Sequence, residues 1–288
     1  MSEGNKISLS LFQWNTLSKH LSDKYSFPYS KDEYLKWENR EPLIKSFLEE
    51  NKPDIICLEE IGNYDSEFKS NILDKLTLKY DFAFGKRKAP TLGINLGSLI
   101  GVNKEKFLME KYESVDLEEE EGKIGGQNMI WTIIVDKKTE NKFIVIVVHL
   151  KAKEPNEKIR IAQVNHLMKF IEQNFLRKYP IFILGDFNAE PTYTCIKNLL
   201  NNTNLNAKSL FDLTKLDYST IKLRDKLYKR IIDYIIYISK IKDNFENELI
   251  IKKAERAKPE IDENIGLPND KFPSDHLFLK AEVDLMFC

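Results

Sequence analysis

Several stretches of this chain put catalytically capable side chains at the ends of buried apolar runs. Trp14-Asn15 closes the first such run. Glu59-Glu60 follows Ile55-Ile56-Cys57-Leu58. Two carboxylates at a strand end can ligate a hard cation such as Mg²⁺, which takes oxygen donors. Strand neighbours face opposite ways, so one of the two is expected to be a ligand, and by itself the pair reads equally as a solvated surface. His149 follows Val145-Ile146-Val147-Val148, and strand alternation places Lys151 and Lys153 on its face. An imidazole with two ammonium groups makes an anion site suited to phosphate, whereas a histidine alone there is a satisfied core residue. Gly185-Asp186-Phe187-Asn188 sets an acid and an amide two residues apart on a turn, which is either a working pair or a plain Asx-turn. Ser274-Asp275-His276 precedes the last apolar run, and Asp233 lies inside another. A buried Asp needs a partner, and a histidine, whose tautomer a carboxylate fixes, is the natural one.

These groups need rigid elements to hold them. Residues 7–13 alternate apolar and polar, as a half-buried strand does. Residues 37–51 read as a helix with Leu43, Ile44, Phe47 and Leu48 on one stripe and Pro42 in its first turn. Pro53 stops it, and 54–58 form a short buried strand. Phe68, Ile72, Leu73 and Leu76 mark another helix face. Residues 98–102, 129–135, 143–150, 180–184, 231–238 and 276–283 read as strands, and 158–175 as a helix. The glutamates 118–121, followed by Gly122, Gly125 and Gly126, read as a mobile loop or a solvated connection. Residues 201–208 and 258–271 read as loops, and no stretch argues for a domain boundary, so 1–288 is taken as one domain. Helices recurring between more numerous strands predict an α/β sandwich: two packed sheets covered by helices.

Composition excludes several classes. The 288 residues are 42% hydrophobic, with 17 Phe, 12 Tyr and 3 Trp, so the chain can bury a core. A net charge of −1, from 44 basic and 45 acidic residues, argues against a globally basic nucleic-acid binder but leaves room for a basic cleft. Three cysteines, Cys57, Cys195 and Cys288, encode neither a disulfide framework nor a thiolate zinc site. No apolar run approaches the ~20 residues that span a bilayer. The first residues carry no apolar or arginine-rich leader pattern. A cytoplasmic monomer with no membrane partner is the expectation.

The order Asn15, Glu60, His149, Asp186/Asn188, Asp233 and Asp275/His276 resembles the endonuclease/exonuclease/phosphatase superfamily, over roughly residues 7–285. The stretches that carry the resemblance are Gln13-Trp14-Asn15, Lys36-Trp37-Glu38-Asn39-Arg40, Pro53 to Glu60, Gly185 to Pro191, Ile232-Asp233-Tyr234 and Pro273-Ser274-Asp275-His276. They are similar to the branch that holds nocturnin and the carbon-catabolite-repressor deadenylases. His149-Leu150-Lys151-Ala152-Lys153 with Arg160 looks nocturnin-like.

The resemblance implies a deoxyribonuclease I-like four-layer α/β sandwich of two mixed sheets. It implies Glu60 as a Mg²⁺ ligand, with Mn²⁺ as a substitute, Asn15 beside the metal and Asp275 supporting the metal shell. Asp186 would deprotonate the attacking water, and Asn188 would hold a phosphate oxygen. His276, oriented by Asp233, would contact the scissile phosphate, and His149 would stabilise transition-state charge. Lys151, Lys153, Arg160 and Arg224 would face the substrate. Lys153 stands where an arginine is usual, Ile221 where an aromatic is usual, and Glu59 where a glutamine is usual. Leu96-Gly97-Ser98-Leu99-Ile100 is a weak match to a family strand. The expected reaction is removal of the 2′-phosphate of NADP⁺ or NADPH, with 3′–5′ trimming of poly(A) RNA as the alternative. A non-catalytic interaction module, an inositol phosphatase and a DNA-repair nuclease fit the residues less well. No leucine-rich repeats are seen, so docking through such a module is not expected. Activity is expected to need Asp186 ionised and to fall below about pH 6 if His276 must be neutral.

Overall fold

The computed structural model describes the chain from Lys6 to Phe287, apart from residues 75, 77, 78, 89–95, 177, 240, 243 and 244. Its strands are β1 (Lys6–Asn15), β2 (Ile55–Gly62), β3 (Tyr80–Lys86), β4 (Leu96–Asn103), β5 (Phe107–Glu120), β6 (Lys123–Asp136), β7 (Lys142–His149) and β8 (Ile181–Asp186). They continue as β9 (Ala207–Ser209), β10 (Thr220–Leu223), β11 (Leu227–Arg230), β12 (Asp233–Ile238), β13 (Ile241–Lys242), β14 (Phe245–Glu246), β15 (Leu249–Arg256) and β16 (Leu279–Met286). The α-helices are α1 (Asp32–Leu35), α2 (Trp37–Asn51), α3 (Glu157–Asn174) and α4 (Thr194–Leu200), joined by a π-helical run, Tyr64–Leu73.

Two six-stranded mixed sheets stack face to face. One runs β15-β16-β1-β2-β4-β3, the other β5-β6-β7-β8-β12-β9. Their inner faces supply one apolar layer, with Leu9, Leu11, Ile55 and Cys57 meeting Val145, Val147, Phe182 and Ile235. The alternate residues face outward. Phe12, Trp14, Ile56 and Leu58 pack with Ile44 and Leu48 of α2. Ile144, Ile146 and Ile183 pack with Val164, Leu167 and Ile171 of α3. The result is the expected four-layer α/β sandwich. A strand buried on both faces needs continuous apolar sequence, which is what β7 and β8 carry.

Three elements depart from the expectation. The glutamates 118–121 are not a free loop: β5 runs through Glu120 and pairs with β6, Asp116 opposite Asn128 and Glu118 opposite Ile124. Strand β5 escapes pattern reading because it is an edge strand, and only Phe107 and Leu117 of it are buried. Strand β3 carries no apolar alternation that stands out either, yet it pairs with β4 throughout. The lysines do not continue the alternation of β7, because that strand ends at His149.

The inner-face residues change character at one end of the sandwich. Along β1, Leu9 and Leu11 give way to Gln13 and Asn15, all on one face by the two-residue period. The same step leads from Cys57 to Glu59, Val147 to His149, Leu184 to Asp186 and Ile235 back to Asp233. Parallel pairing sets Asn15 beside Glu59 and His149 beside Asp186, and antiparallel pairing sets Asp233 beside Asp186. One end of the inter-sheet layer is therefore a buried polar cluster.

Candidate active site

Gly185 lets β7 and β8 approach at this end. Its φ is +148°, and a β-carbon there would lie 1.9 Å from the Val148 carbonyl oxygen. No other residue fits. Beside it, Asp186 Oδ1 accepts the Asn188 backbone N–H at 2.8 Å. Its other oxygen, Oδ2, accepts from Asn15 Nδ2 at 3.1 Å and lies 3.6 Å from His149 Nε2 and 3.8 Å from His276 Nε2. One carboxylate oxygen thus sits between two imidazoles and an amide contributed from both sheets.

Behind His276 stands Asp233, whose two oxygens lie 3.1 and 3.0 Å from His276 Nδ1. Ser219 Oγ donates to Asp233 at 2.7 Å, and Gln13 Nε2 donates at 3.1 Å. Gln13 Nε2 also donates to Glu59 at 2.7 Å. Ser274 Oγ donates to the Asn15 carbonyl at 2.7 Å and accepts the His276 N–H at 3.1 Å, tying the end of β1 to the segment that leads into β16. Trp14 Nε1 donates to the His276 carbonyl at 2.8 Å.

The charges follow from this packing. Burial, opposed by His276 and reinforced by Asp233, pushes the Asp186 carboxyl up to about 7. Burial also raises the Glu59 carboxyl well above the ordinary range, helped by Asp233 and opposed by the Gln13 hydrogen bond. Burial alone would lower His276, but the Asp233 and Asp186 carboxylates outweigh it and hold the ring well above the usual histidine value. His149 goes the other way: burial, Arg87 and His276 all keep it neutral. The expected fall in activity below about pH 6 is conditional on a neutral His276; the Asp233 and Asp186 carboxylates instead favour its charged ring, whereas burial favours the neutral ring of His149.

The remaining expected residues divide. Glu60 sits at a bulge in β2 between Leu58 and Ile61, with φ +59°, and its Oε2 accepts the Ser18 N–H at 3.0 Å. The bulge re-aims it off the regular alternation, so Glu59 and not Glu60 continues the inner face. Asp275 is 5% exposed, with one oxygen 3.6 Å from Lys222 Nζ and the other buried without a partner. Asn188 has φ +50°, and its Nδ2 donates to the Leu150 carbonyl at 3.1 Å, so the amide braces the turn as well as facing it.

Four expected substrate residues lie elsewhere. Arg160 is fully buried, and its guanidinium is spent on the carbonyls of Lys151, Lys153 and Glu154, at 2.9, 2.8 and 3.2 Å, and on Glu157 at 3.2 Å. It shapes the loop after β7. Lys151 Nζ pairs with Glu119 at 3.4 Å, Lys153 is exposed with φ +75°, and Arg224 is exposed at the end of β10. The anion face expected of His149, Lys151 and Lys153 does not form as strand alternation would build it.

Sequence reading missed Arg87, just past β3. Burial lowers its guanidinium while the Glu60 charge opposes that shift, and the Arg87 charge in turn helps lower His149. Its only sequence signal is the triplet Lys86-Arg87-Lys88, which becomes informative once β3 is known to end there. Gln13 and Ser274 were visible within quoted motifs, and their roles needed the fold.

An endonuclease/exonuclease/phosphatase family model matches residues 12–276. The chain belongs to that family. Human Nocturnin is 31% identical over 287 residues, covering 94% of this chain and 64% of Nocturnin, so the chain spans about two-thirds the length of such relatives. A probable 3′-5′-exoribonuclease subunit Ccr4 from Vairimorpha ceranae is 25% identical over 325 residues, covering 98% of this chain and 65% of that protein. The solved structure of the human Nocturnin catalytic domain with bound sulfate superposes with a TM-score of 0.77 at 23% identity, covering 98% and 97% of the two chains, which shows the shared fold.

The family implies a divalent metal, and the donor set suits one. Asn15, Glu60 and Asp275 offer hard oxygen donors, and a buried, unpartnered Asp275 oxygen is what a missing cation leaves behind. The buried Arg40 guanidinium donates to the carbonyls of Pro273 at 2.6 Å and Thr16 at 2.8 Å, joining the segments next to Asp275 and Asn15. The tighter trio Asp186, Asp233 and His276 has ligand atoms within 4.8 Å of one another, and its shortest contact is the hydrogen-bonded Asp233–His276 pair, with Asp186 as an adjacent acid.

Proposed function

We propose that this chain is a Mg²⁺-dependent phosphoester hydrolase that removes the 2′-phosphate of NADP⁺ or NADPH, Mn²⁺ being able to replace Mg²⁺. The observation that carries the hydrolase reading is the Asp186 Oδ2 atom, set 3.6 and 3.8 Å from the imidazole nitrogens of His149 and His276. The substrate preference rests on the likeness to Nocturnin alone, since Lys151 and Lys153 do not form the anion face with His149.

In this reading Asp186, once ionised, takes the proton of the attacking water, whose oxygen bonds to phosphorus as the bond to the sugar oxygen breaks; the sugar oxygen leaves with the bonding electron pair and takes a proton from solvent to become the hydroxyl. The His276 cation, held by Asp233, donates from Nε2 to a phosphoryl oxygen where negative charge grows. Neutral His149 offers a second donor, Asn15 fixes Asp186, and Arg87 supplies positive charge at the Glu60 side. A cation held by Glu60, Asn15 and Asp275 would add Lewis-acid stabilisation of the same phosphate. Working groups of this kind each contribute roughly 10²–10⁴ in rate.

The alternative is a 3′–5′ exoribonuclease acting on poly(A), which would use the same cluster and which the Ccr4 relative supports. Purified protein is assayed with Mg²⁺ against NADPH and against a labelled oligo(A). Inorganic phosphate released from NADPH, and lost in Asp186→Ala, is the expected result. No phosphate from NADPH together with shortening of oligo(A), abolished by Glu60→Ala, selects the ribonuclease.

A further inference from the structure

Hairpin β5–β6 reaches past the sheet at the active-site end. Met129 pairs with Val148, so Asn128 and the residues before it run beside and beyond His149. The hairpin is fixed there. Leu117 is fully buried in the layer under α3, and the Glu118 N–H is donated to His166 Nδ1 of that helix at 3.1 Å. Asn128 Nδ2 donates to the Lys86 carbonyl at 3.2 Å, and Arg87 Nε to the Gly126 carbonyl at 3.4 Å. The hairpin therefore touches the site's rim on both flanks, at Arg87 and at Lys151.

Its charges are disposed against those flanks. Asp116 pairs with Lys88, next to Arg87. Glu119 pairs with Lys151, two residues past His149, at 3.4 Å. The aim of Glu119 is built in: its side chain lies across Gly125, where a β-carbon would come within 2.1 Å of Glu119 Cγ. Between positions 116 and 123 the hairpin carries five acids and one lysine, so its tip is strongly negative while two rim lysines are already paired.

We propose that Asp116 and Glu119 are specificity-determining residues: they tether Lys88 and Lys151 and repel an extended phosphodiester chain, so that the site admits a compact phosphomonoester and rejects polynucleotide. This rests on the phosphoester-hydrolase reading above. A polynucleotide needs lysines along its track to replace its counterions, and here the nearest ones face carboxylates instead. A small phosphorylated nucleotide carries only a few phosphates and has no charged chain running on past the rim, so the hairpin's acids cost it less.

The test is the double variant Asp116→Asn/Glu119→Gln, beside a control that removes the same charge at the far end of α2, Glu49→Gln/Glu50→Gln. Fluorescence anisotropy of a labelled oligo(A) at low and moderate salt reads the gate without any turnover. The hairpin variant should bind oligo(A) about tenfold more tightly at low salt, with a steeper fall as salt rises, and the control should shift less than about twofold. Phosphate release from NADPH should stay within about threefold of wild type in both, since neither pair touches the reacting atoms. Unchanged oligo(A) affinity, or an equal gain in the control, overturns the gate. Loss of the hydrolase reading shows separately, as wild-type protein inert towards both substrates.

Discussion

Asp186 pays for its placement in stability, and the cost can be measured. Its carboxyl is pushed from an ordinary 3.8 to about 7 by burial next to Asp233. The folded protein therefore holds this proton more tightly than the unfolded chain does. Its contribution to stability is fully present below about pH 4 and is lost as pH rises through 7. At about 1.4 kcal/mol per unit, the shift amounts to about 4 kcal/mol in all, of which roughly 2.5 falls between pH 5 and 8. Asp186→Asn removes the titration. It also replaces an acceptor of the Asn15 amide, a loss of about 1–3 kcal/mol that does not depend on pH. Urea unfolding of both proteins in EDTA, at pH 5, 6, 7 and 8, gives the difference curve. Wild type should lose about 2.5 kcal/mol relative to the variant across that range, while the variant is catalytically dead. Parallel curves would refute the reasoning, because they would mean that Asp186 is ionised in the fold throughout.

Asp233→Asn should lower kcat by roughly 10²–10⁴ with little change in KM, because His276 loses the carboxylate that holds it charged and aimed; a drop under threefold in steady-state assays removes Asp233 from the mechanism. Arg160→Lys keeps a charge but loses the fork that gathers three carbonyls, so it should destabilise the protein by about 2–4 kcal/mol in urea titrations and leave kcat near normal. A large kcat loss in a stable Arg160→Lys protein would instead mean direct substrate contact. Gly185→Ala places a methyl 1.9 Å from the Val148 carbonyl, and circular dichroism should show a protein that does not fold at 37 °C. Glu59→Gln should flatten the alkaline loss of stability, since burial holds that carboxyl protonated in the fold and it is released on unfolding.

Much of this was legible because period and polarity say the same thing along a strand. Leu9, Leu11, Gln13 and Asn15 share a face, as do Val145, Val147 and His149, so the sequence already holds the point at which core becomes site. Helix α2 begins at Trp37 and ends at Asn51 as its apolar stripe and Pro53 require. What could not be read depends on backbone departures from the regular period. The bulge in β2 decides which of Glu59 and Glu60 faces the core, and nothing in a pair of identical side chains signals it. The end of β7 at His149 decides that Lys151 and Lys153 leave its face. Arg160 reads as a surface or substrate charge because its partners are backbone carbonyls, which sequence does not display. Strand β5 hides because a solvent-facing edge strand needs only two buried residues to hold it.

The same asymmetry accounts for the protonation states, which sequence assigns poorly. Residue type says that Asp186, Glu59, His149 and His276 can titrate; only the packing says in which direction each moves. Asp233 is surrounded by donors, Ser219, Gln13 and His276, which satisfy both its oxygens. Glu59 has only the Gln13 amide and takes up its proton instead. Asp186 has two hydrogen bonds and a cation nearby and falls between them, close to neutrality, which is where a group that must take a proton from water and later release it is most useful. Three acids crowded at one end of an apolar layer thus acquire three different tasks from the number of donors each is given.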